Sequence, residues 1–322
     1  MLDHTQAALW CAHPRLKDGE AFSSWLHRFA FANGLADHTF CRYVFGSRPV
    51  WNRDVDHLVD SSMIDAASKA TGERADRLRA ATLHRYEGTL YEQLGQAYTP
   101  WVLSLGVYHR LRKRHGQQFC SECLRESEPW MRLDWRLAWV TCCLKHGLVL
   151  HDACPRCETP MVFHRSAVDI TGHLRCHCCG ADLVRRNSPT ASAHMTRFQA
   201  WLELAMKQNV VEIGDQTVAT QDLFSGLRVL ARGVYDWSRL RGLESAFSAP
   251  ATMRTQRNIE QWRLPNRIFA MHLLAASMQN WPADFVRRCR KSRVLRARFE
   301  TKSLDTERSP DWMRTALEAL MR

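Results

Sequence analysis

No run of eighteen apolar residues occurs in this sequence, so no membrane-spanning helix is expected. The opening MLDHTQAALWCAHPRLKDGE has no basic stretch leading into a long apolar run, so no secretory signal is expected and a reducing cytoplasm is the expected compartment. There is no Gly-x4-Gly-Lys-Ser/Thr loop, which excludes a P-loop nucleotidase. No spaced set of acids marks a two-metal nuclease core, although scattered acids can assemble on folding. The His-x-Glu and Pro-Cys-x2-Cys pattern of zinc deaminases is missing; Cys154-Pro155-Arg156-Cys157 fits half of it, with Cys before Pro. Low-complexity segments are absent as well. With no catalytic constellation left, the chain is expected not to be an enzyme.

What is present is basic and cysteine-rich. The 322 residues suffice for two or three domains, and 45% apolar content supports ordinary cores. Lys and Arg number 45 against 33 Asp and Glu, for a net charge of +12. That balance points to nucleic acid or an acidic protein as partner.

Nine of the twelve cysteines fall between Cys120 and Cys179. Two four-ligand sets can be drawn. The first is Cys120-x2-Cys123, nineteen residues, then Cys143-x2-His146. The second is Cys154-x2-Cys157, eighteen residues, then Cys176-x2-Cys179. Two ligands separated by two residues converge on one ion, and two such knuckles fill the tetrahedral shell of structural zinc. Disulfides would need an oxidising compartment, which nothing here suggests. Two structural Zn2+ ions are therefore expected, with no open position for catalysis. Cys142 beside Cys143 and Cys178 beside Cys179 are alternative ligands. The two-residue gap favours Cys143 and Cys179, which leaves Cys142 and Cys178 as buried spare thiols. His151, His173 and His177 are expected near the sites and not as ligands.

The rest of the chain reads as helices. Phe22, Trp25, Leu26, Phe29 and Ala30 give one apolar stripe, capped by Ser23 or Ser24 and stopped at Asn33-Gly34. Helices are expected over 54–59, 62–70 and 74–83, with Gly72 as the turn of a helix-turn-helix that presents Arg74, Arg77 and Arg79. His109, Arg110, Arg112, Lys113, Arg114 and His115 form a compact basic run. Trp130, Trp135 and Trp139 are expected to anchor the first site as core. The stretch 161–176 alternates like a short hairpin of strands. Composition changes at Asn187-Ser188-Pro189-Thr190, and apolar faces follow at Phe198, Trp201, Leu202 and Ala205, and at Leu223, Leu227, Leu230 and Val234. A helix over 265–281 stops at Pro282. From Phe285 to Phe299 a further helix carries seven Arg or Lys and no acid. Its Arg287, Arg290, Lys291 and Arg298 are candidates, with Arg74, Arg77, Arg112, Lys113 and Arg114, for binding nucleic acid or an acidic partner. The expected fold is mainly α and multidomain: a helix-turn-helix-like helical domain (1–118), a tandem zinc module with short β hairpins (119–187) and a C-terminal helical domain (188–322).

Three stretches together resemble the TniQ/TnsD family of transposon targeting proteins. GEAFSSWLHRFAFANG, from Gly19 to Gly34, is similar to the family's opening signature. FCSECLRESEPWMRLDWRLAWVTCCLKHGLVLHDACPRC, from Phe119 to Cys157, is similar to its zinc region, and FSGLRVLARGVY and NWPADF are weaker echoes. Ser121 and Leu144 stand where the family often has Pro inside the knuckle, without removing a ligand. The resemblance implies a targeting adaptor without chemistry of its own. Such an adaptor binds target DNA or docks on an RNA-guided CRISPR surveillance complex, recruits an AAA+ ATPase regulator of the transposase, and can work as a homodimer. Chain length favours a TniQ-like adaptor over the longer site-specific TnsD type. The competing readings are a zinc-containing helix-turn-helix transcription regulator, and a nuclease or other zinc enzyme.

Overall fold

The computed structural model describes residues 10–95, 98–108, 111–126, 128–165, 174–184, 188–233, 258–299 and 310–320. It is mainly helical, with short two-stranded hairpins. Two compact units are formed, one from Met1–Glu87, Gln93–Leu137 and Leu150–Ser188, the other from Gly88–Glu92, Ala138–Val149 and Pro189–Arg322. His109, Arg110, His173, Asn187 and Val234 lie outside the described residues.

In the first unit the apolar stripe forms as expected. Helix α1 (Phe22–Ala32) buries Phe22, Trp25, Leu26, Phe29 and Ala30. Against it pack α2 (Asp37–Phe45) and α3 (Val55–Leu58), α4 (Ser61–Thr71) packs on α2, and Phe29 stacks on Phe40 at 5.1 Å. The expected caps do not form. Ala21 is the N-cap, while the Ser23 backbone N–H and hydroxyl both donate to Asp56 at 2.7 Å, and the Ser24 hydroxyl donates to Glu20 at 2.9 Å. A buried carboxylate that needs donors outcompetes a local cap that water would otherwise satisfy. Asp60 caps α4 by accepting from the Met63 N–H at 2.8 Å, and Gly72 ends the helix in the left-handed region at φ 75°. The following α5 (Ala75–Ala80) is six residues long and gives way to a 3-10 turn at Leu83–Tyr86, so the helix expected over 74–83 is cut short.

One arginine joins the distant segments of this unit. Arg136, in the 3-10 turn Leu133–Arg136, is fully buried. Its Nη1 donates to Asp54 at 3.1 Å and to Asp56 at 3.4 Å, its Nη2 to Asp54 at 2.5 Å and to the Leu103 carbonyl at 3.0 Å, and its Nε to the Gly116 carbonyl at 3.1 Å. Burial and the Asp54 charge push the Asp56 carboxyl up to about 6. Burial works against the Asp54 charge as well, but Arg136 beside it wins and the net direction is downward. Strands β1 (Val107–Tyr108) and β2 (Leu111–Arg112) form an antiparallel hairpin, and α6 (Ser121–Arg125) follows. Trp135 is core as expected. Trp130 is half-buried, with the Lys17 and Arg132 cations 6.0 and 5.7 Å from its ring.

The second unit contains β3 (Cys142–Cys143), β4 (Leu148–Val149) and α7 (Ala193–Gln208), whose cap is the Ser192 hydroxyl accepting from Met195 N–H at 3.2 Å. A hairpin of β5 (Val210–Ile213) and β6 (Gln216–Ala219) leads into α8 (Thr220–Arg232). Then come α9 (Leu264–Met278), which packs on α7 and α8, α10 (Ala283–Lys291) and α11 (Asp311–Glu318). Trp139 is core, as expected, in this unit. Gly226 faces Trp312 and Met313 so closely that a Cβ would overlap the indole, which accounts for a glycine inside α8. The basic helix expected over 285–299 stops at Lys291. Ser292 caps it, Arg293 takes φ 54°, and Arg298 sits on a separate 3-10 turn (Arg296–Arg298). Phe285 and Phe299 still meet edge to face at 5.4 Å, so the apolar period was real and only its helical continuation was not. Among the described residues no helix is long and apolar enough to cross a membrane.

Candidate metal centres

The eight expected ligands gather into two groups of four. In each of Cys120–Cys123–Cys143–His146 and Cys154–Cys157–Cys176–Cys179, the ligand atoms lie within 4.8 Å of one another. Sγ of Cys154 is 3.7 Å from that of Cys179, and Sγ of Cys157 is 3.8 Å from that of Cys176. A disulfide would bring them to about 2 Å. A tetrahedral ion with metal–sulfur bonds of about 2.3 Å sets its sulfurs about 3.8 Å apart, which is the spacing found. Cys143 Sγ and His146 Nδ1 are 3.5 Å apart, again close to the tetrahedral edge for one sulfur and one nitrogen, about 3.5 Å. Both groups can hold a metal ion, and the donor sets are compatible with zinc.

Backbone geometry explains why the two-residue gap works. In three knuckles the residue after the second ligand turns back and donates its N–H to the carbonyl of the first ligand. These bonds are Gly147 to Cys143 at 2.8 Å, Glu158 to Cys154 at 2.9 Å and Gly180 to Cys176 at 2.9 Å. In these three the closing residue is left-handed, with φ of 64°, 56° and 66° respectively. Inside the turns, N–H groups of Arg156 and Cys178 point at the sulfurs of Cys154 and Cys176 at 3.5 and 3.4 Å. The fourth knuckle is helical, with Leu124 N–H bonded to the Cys120 carbonyl at 3.1 Å on α6. Glu158 thus occupies a conformation that favours glycine. Glu158→Gly is expected to leave metal content unchanged and to raise stability, by up to about 1 kcal/mol; urea denaturation of the metal-loaded protein checks it, and a fall in the midpoint overturns it.

The ambiguous thiols are resolved by position. Cys142 lies outside both groups and is buried; its Sγ donates to Gln199 Oε1 at 3.3 Å, and burial pushes the thiol up to about 12. Cys178 also lies outside both groups but is exposed, which corrects the expectation that it is buried. In the metal-free chain burial pushes Cys176 up to about 12, while the Ala181 N–H draws Cys179 down to about 7. A cation is what would hold all four thiols as thiolates together.

Two residues support the sites from outside: Gln199, which carries no local sequence signal, and His151, which was expected near the sites. The Gln199 amide on α7 clamps the strand that bears Cys143: Oε1 accepts from Thr141 and Cys142 N–H at 2.9 and 3.1 Å, and Nε2 donates to the Cys142 carbonyl at 2.8 Å. His151 stacks on Phe119 at 5.2 Å and bonds Ser188, whose hydroxyl lies 3.1 Å from that of Ser121 inside the first knuckle. Gln199→Leu strands these backbone groups, and outer contacts of this kind are worth about ten- to a hundredfold in metal affinity. Competition with a chromophoric chelator is expected to show that loss for one of two ions; unchanged affinity for both overturns the role given to Gln199.

The nine basic candidates are placed as follows. Arg74 pairs with Asp76 at 2.7 Å, and Arg77 pairs with Glu73 at 2.9 Å while donating to the Leu16 carbonyl at 2.8 Å. Arg112 is half-buried against Trp51, its Nη2 donating to that carbonyl at 3.5 Å, and burial lowers its pKa. Lys113 and Arg114 are exposed. Arg287 pairs with Asp284 at 2.6 Å, Arg290 donates to the Ala319 carbonyl at 2.9 Å, and Lys291 and Arg298 are exposed. Arg77 and Arg112 are therefore engaged in holding the fold.

The family model TniQ matches residues 11–150. No curated protein matches the chain. The matched span takes in the α1 stripe, the buried Arg136 and the whole Cys120–Cys123–Cys143–His146 group. Residues 11–150 are a TniQ domain.

Proposed function

We propose that this protein is a TniQ-like targeting adaptor that selects the insertion site of a transposon and performs no catalysis itself. It engages target DNA, an RNA-guided CRISPR complex or both, and recruits the AAA+ ATPase regulator of a heteromeric transposase. It acts in the cytoplasm, as a homodimer if it follows other members, with one structural Zn2+ in each four-ligand group. The observation that carries this reading is the TniQ domain together with two groups whose four protein ligands leave no open coordination position. Closed groups hold shape and activate no water. The transcription-regulator reading has less support, because α5 is short for a recognition helix and Arg77 is tied down within the fold.

The test is a transposition assay in cells supplied with the transposase, the ATPase regulator and a donor element. Insertion at the selected site is expected only when this protein is present, and purified protein is expected to retain the ATPase on an affinity column. Site-selected insertion without the protein overturns the reading, and so does metal-dependent turnover of nucleic acid by the protein alone.

A further inference from the structure

We propose that a cavity of the first unit, lined by Trp51, Arg53, Arg112 and His164, binds one phosphoryl group, taken as inorganic phosphate or as the phosphate of a mononucleotide. A guanidinium carries five N–H donors and keeps its charge. Arg112 spends one of them, on the Trp51 carbonyl at 3.5 Å, the outer limit of a hydrogen bond. Its Nη1 is buried and, among the described residues, has no hydrogen-bond partner. Asp54 and Asp56, the acids nearest by charge, pair with Arg136 instead. A buried cation so poorly satisfied is costly until an acceptor reaches it.

The cavity beside it has a volume of about 30 Å³. That is about two to three times what one water needs. Its walls come from three stretches of chain, 51–56, 105–117 and 161–164. Arg53 and Arg112 line it, and the charge of Arg165 acts on both Arg112 and His164. The His164 imidazole stacks on the Trp51 indole at 4.3 Å. Burial, and after it the charge of Arg112, pushes His164 down to about 2. The ring is therefore neutral and offers one N–H donor without a further charge to bury. Asp54 and Asp56 also line the cavity, but Arg136 faces both, and Asp56 accepts from the Ser23 N–H and hydroxyl at 2.7 Å. Water can satisfy a donor but cannot offset clustered guanidinium charges. A phosphoryl group does both, and its oxygens match the guanidinium fork. The volume suits one tetrahedral group and not a base and sugar beside it, so a nucleotide would enter phosphate first. Once bound, the anion ties the three stretches together. The inference goes beyond the targeting reading and does not rest on it.

The experiment is isothermal titration calorimetry of the full-length, metal-loaded protein at fixed ionic strength. The probes are inorganic phosphate, dTMP, and thymidine as the control without a phosphoryl group. One saturable site per chain is expected for phosphate, with none for thymidine; binding of dTMP as well identifies a nucleotide as a source of the group. Arg112→Gln is expected to weaken phosphate binding about ten- to a hundredfold, the worth of a hydrogen bond to a charged group. Arg53→Ala with Arg165→Ala, both exposed, is expected to weaken it about five- to tenfold and to flatten its salt dependence. Metal content of two ions and an unchanged circular dichroism spectrum show that each variant is folded, and the double variant decides alone if Arg112→Gln is not. The proposal is overturned if neither phosphate nor dTMP binds saturably, if thymidine binds as well as dTMP, or if a folded variant binds phosphate as tightly as the parent chain. Site-selected transposition is scored separately, so the cavity can fail while the targeting reading stands.

Discussion

Protein carrying Cys176→Ser is expected to bind one metal ion where the parent chain binds two, and to become protease-sensitive first around residues 150–184. The reasoning starts from size. The Cys154–Cys157–Cys176–Cys179 group is built from turns, isolated bridges and a few buried apolar side chains such as Leu174 and Leu183. Such a segment has too little apolar area to order itself, and in comparable zinc peptides metal binding supplies about 10–16 kcal/mol of apparent folding free energy. A three-ligand remnant loses much of that. The helical core around Trp25, Phe29 and Phe40 has its own buried faces and is expected to persist. Elemental analysis and proteolysis followed by mass spectrometry read both quantities. Cys178→Ser is the control, because its thiol is outside the group, and it should keep two ions. Two ions in Cys176→Ser, or an equally resistant central segment, would mean that the metal does not organise this region.

The second large effect is expected at Arg136. Arg136→Leu leaves Asp54 and Asp56 buried without their cation, and it also strips donors from the Leu103 and Gly116 carbonyls. Breaking a buried ion pair from one side costs about 3–5 kcal/mol. For a unit of this size that lowers the melting temperature by about ten degrees or more. The effect should depend on pH. Without Arg136 both carboxyls are pushed upward in the folded state, above their unfolded values, so folding favours the protonated forms. The penalty is then complete at pH 8 and eases as pH falls towards 5. In the parent chain Asp56, at about 6, already leans that way and Asp54 leans the other. Urea denaturation at both pH values gives the comparison, and a penalty no smaller at pH 5 contradicts the assignment. Adding Asp54→Asn and Asp56→Asn to Arg136→Leu should recover part of the loss, since no buried charge is then left alone.

The metal groups were legible in the sequence because their information is short-range. A knuckle needs two donors two residues apart and a residue able to turn back, and each such turn is written in four or five consecutive positions. The choice of Cys143 over Cys142 followed from the gap alone, and the Gln199 clamp on Cys142 is its structural counterpart. Helix stripes such as Phe22–Trp25–Phe29 were legible for the same reason. What failed was competition at a distance. Ser23 has the right chemistry for a cap, but Asp56, thirty-three positions on, takes its hydroxyl. Arg136 and its carboxylates are about eighty residues apart, and nothing in the sequence around Arg136 distinguishes it from a surface arginine. The basic run from Phe285 kept its apolar spacing through Phe299 while the backbone left the helix at Ser292, because a left-handed turn at Arg293 returns Phe299 to the same core. Periodicity records which side chains are buried, not whether one helix carries them all.

The different composition of the two groups has a consequence for the molecule's charge. Seven cysteines and one histidine make up the eight ligands. With a divalent ion in each group and every thiol deprotonated, the centre with the histidine carries a formal charge of about −1 and the all-cysteine centre about −2. A chain whose amino acids sum to +12 is thus less cationic when loaded than when stripped. Removing metal from this protein therefore makes it stickier towards polyanions in general, even as it loses the shape that would let it choose among them. Chelation should raise retention on a cation-exchange matrix, and a gain in nucleic-acid affinity after chelation would report this unmasked charge and not recognition.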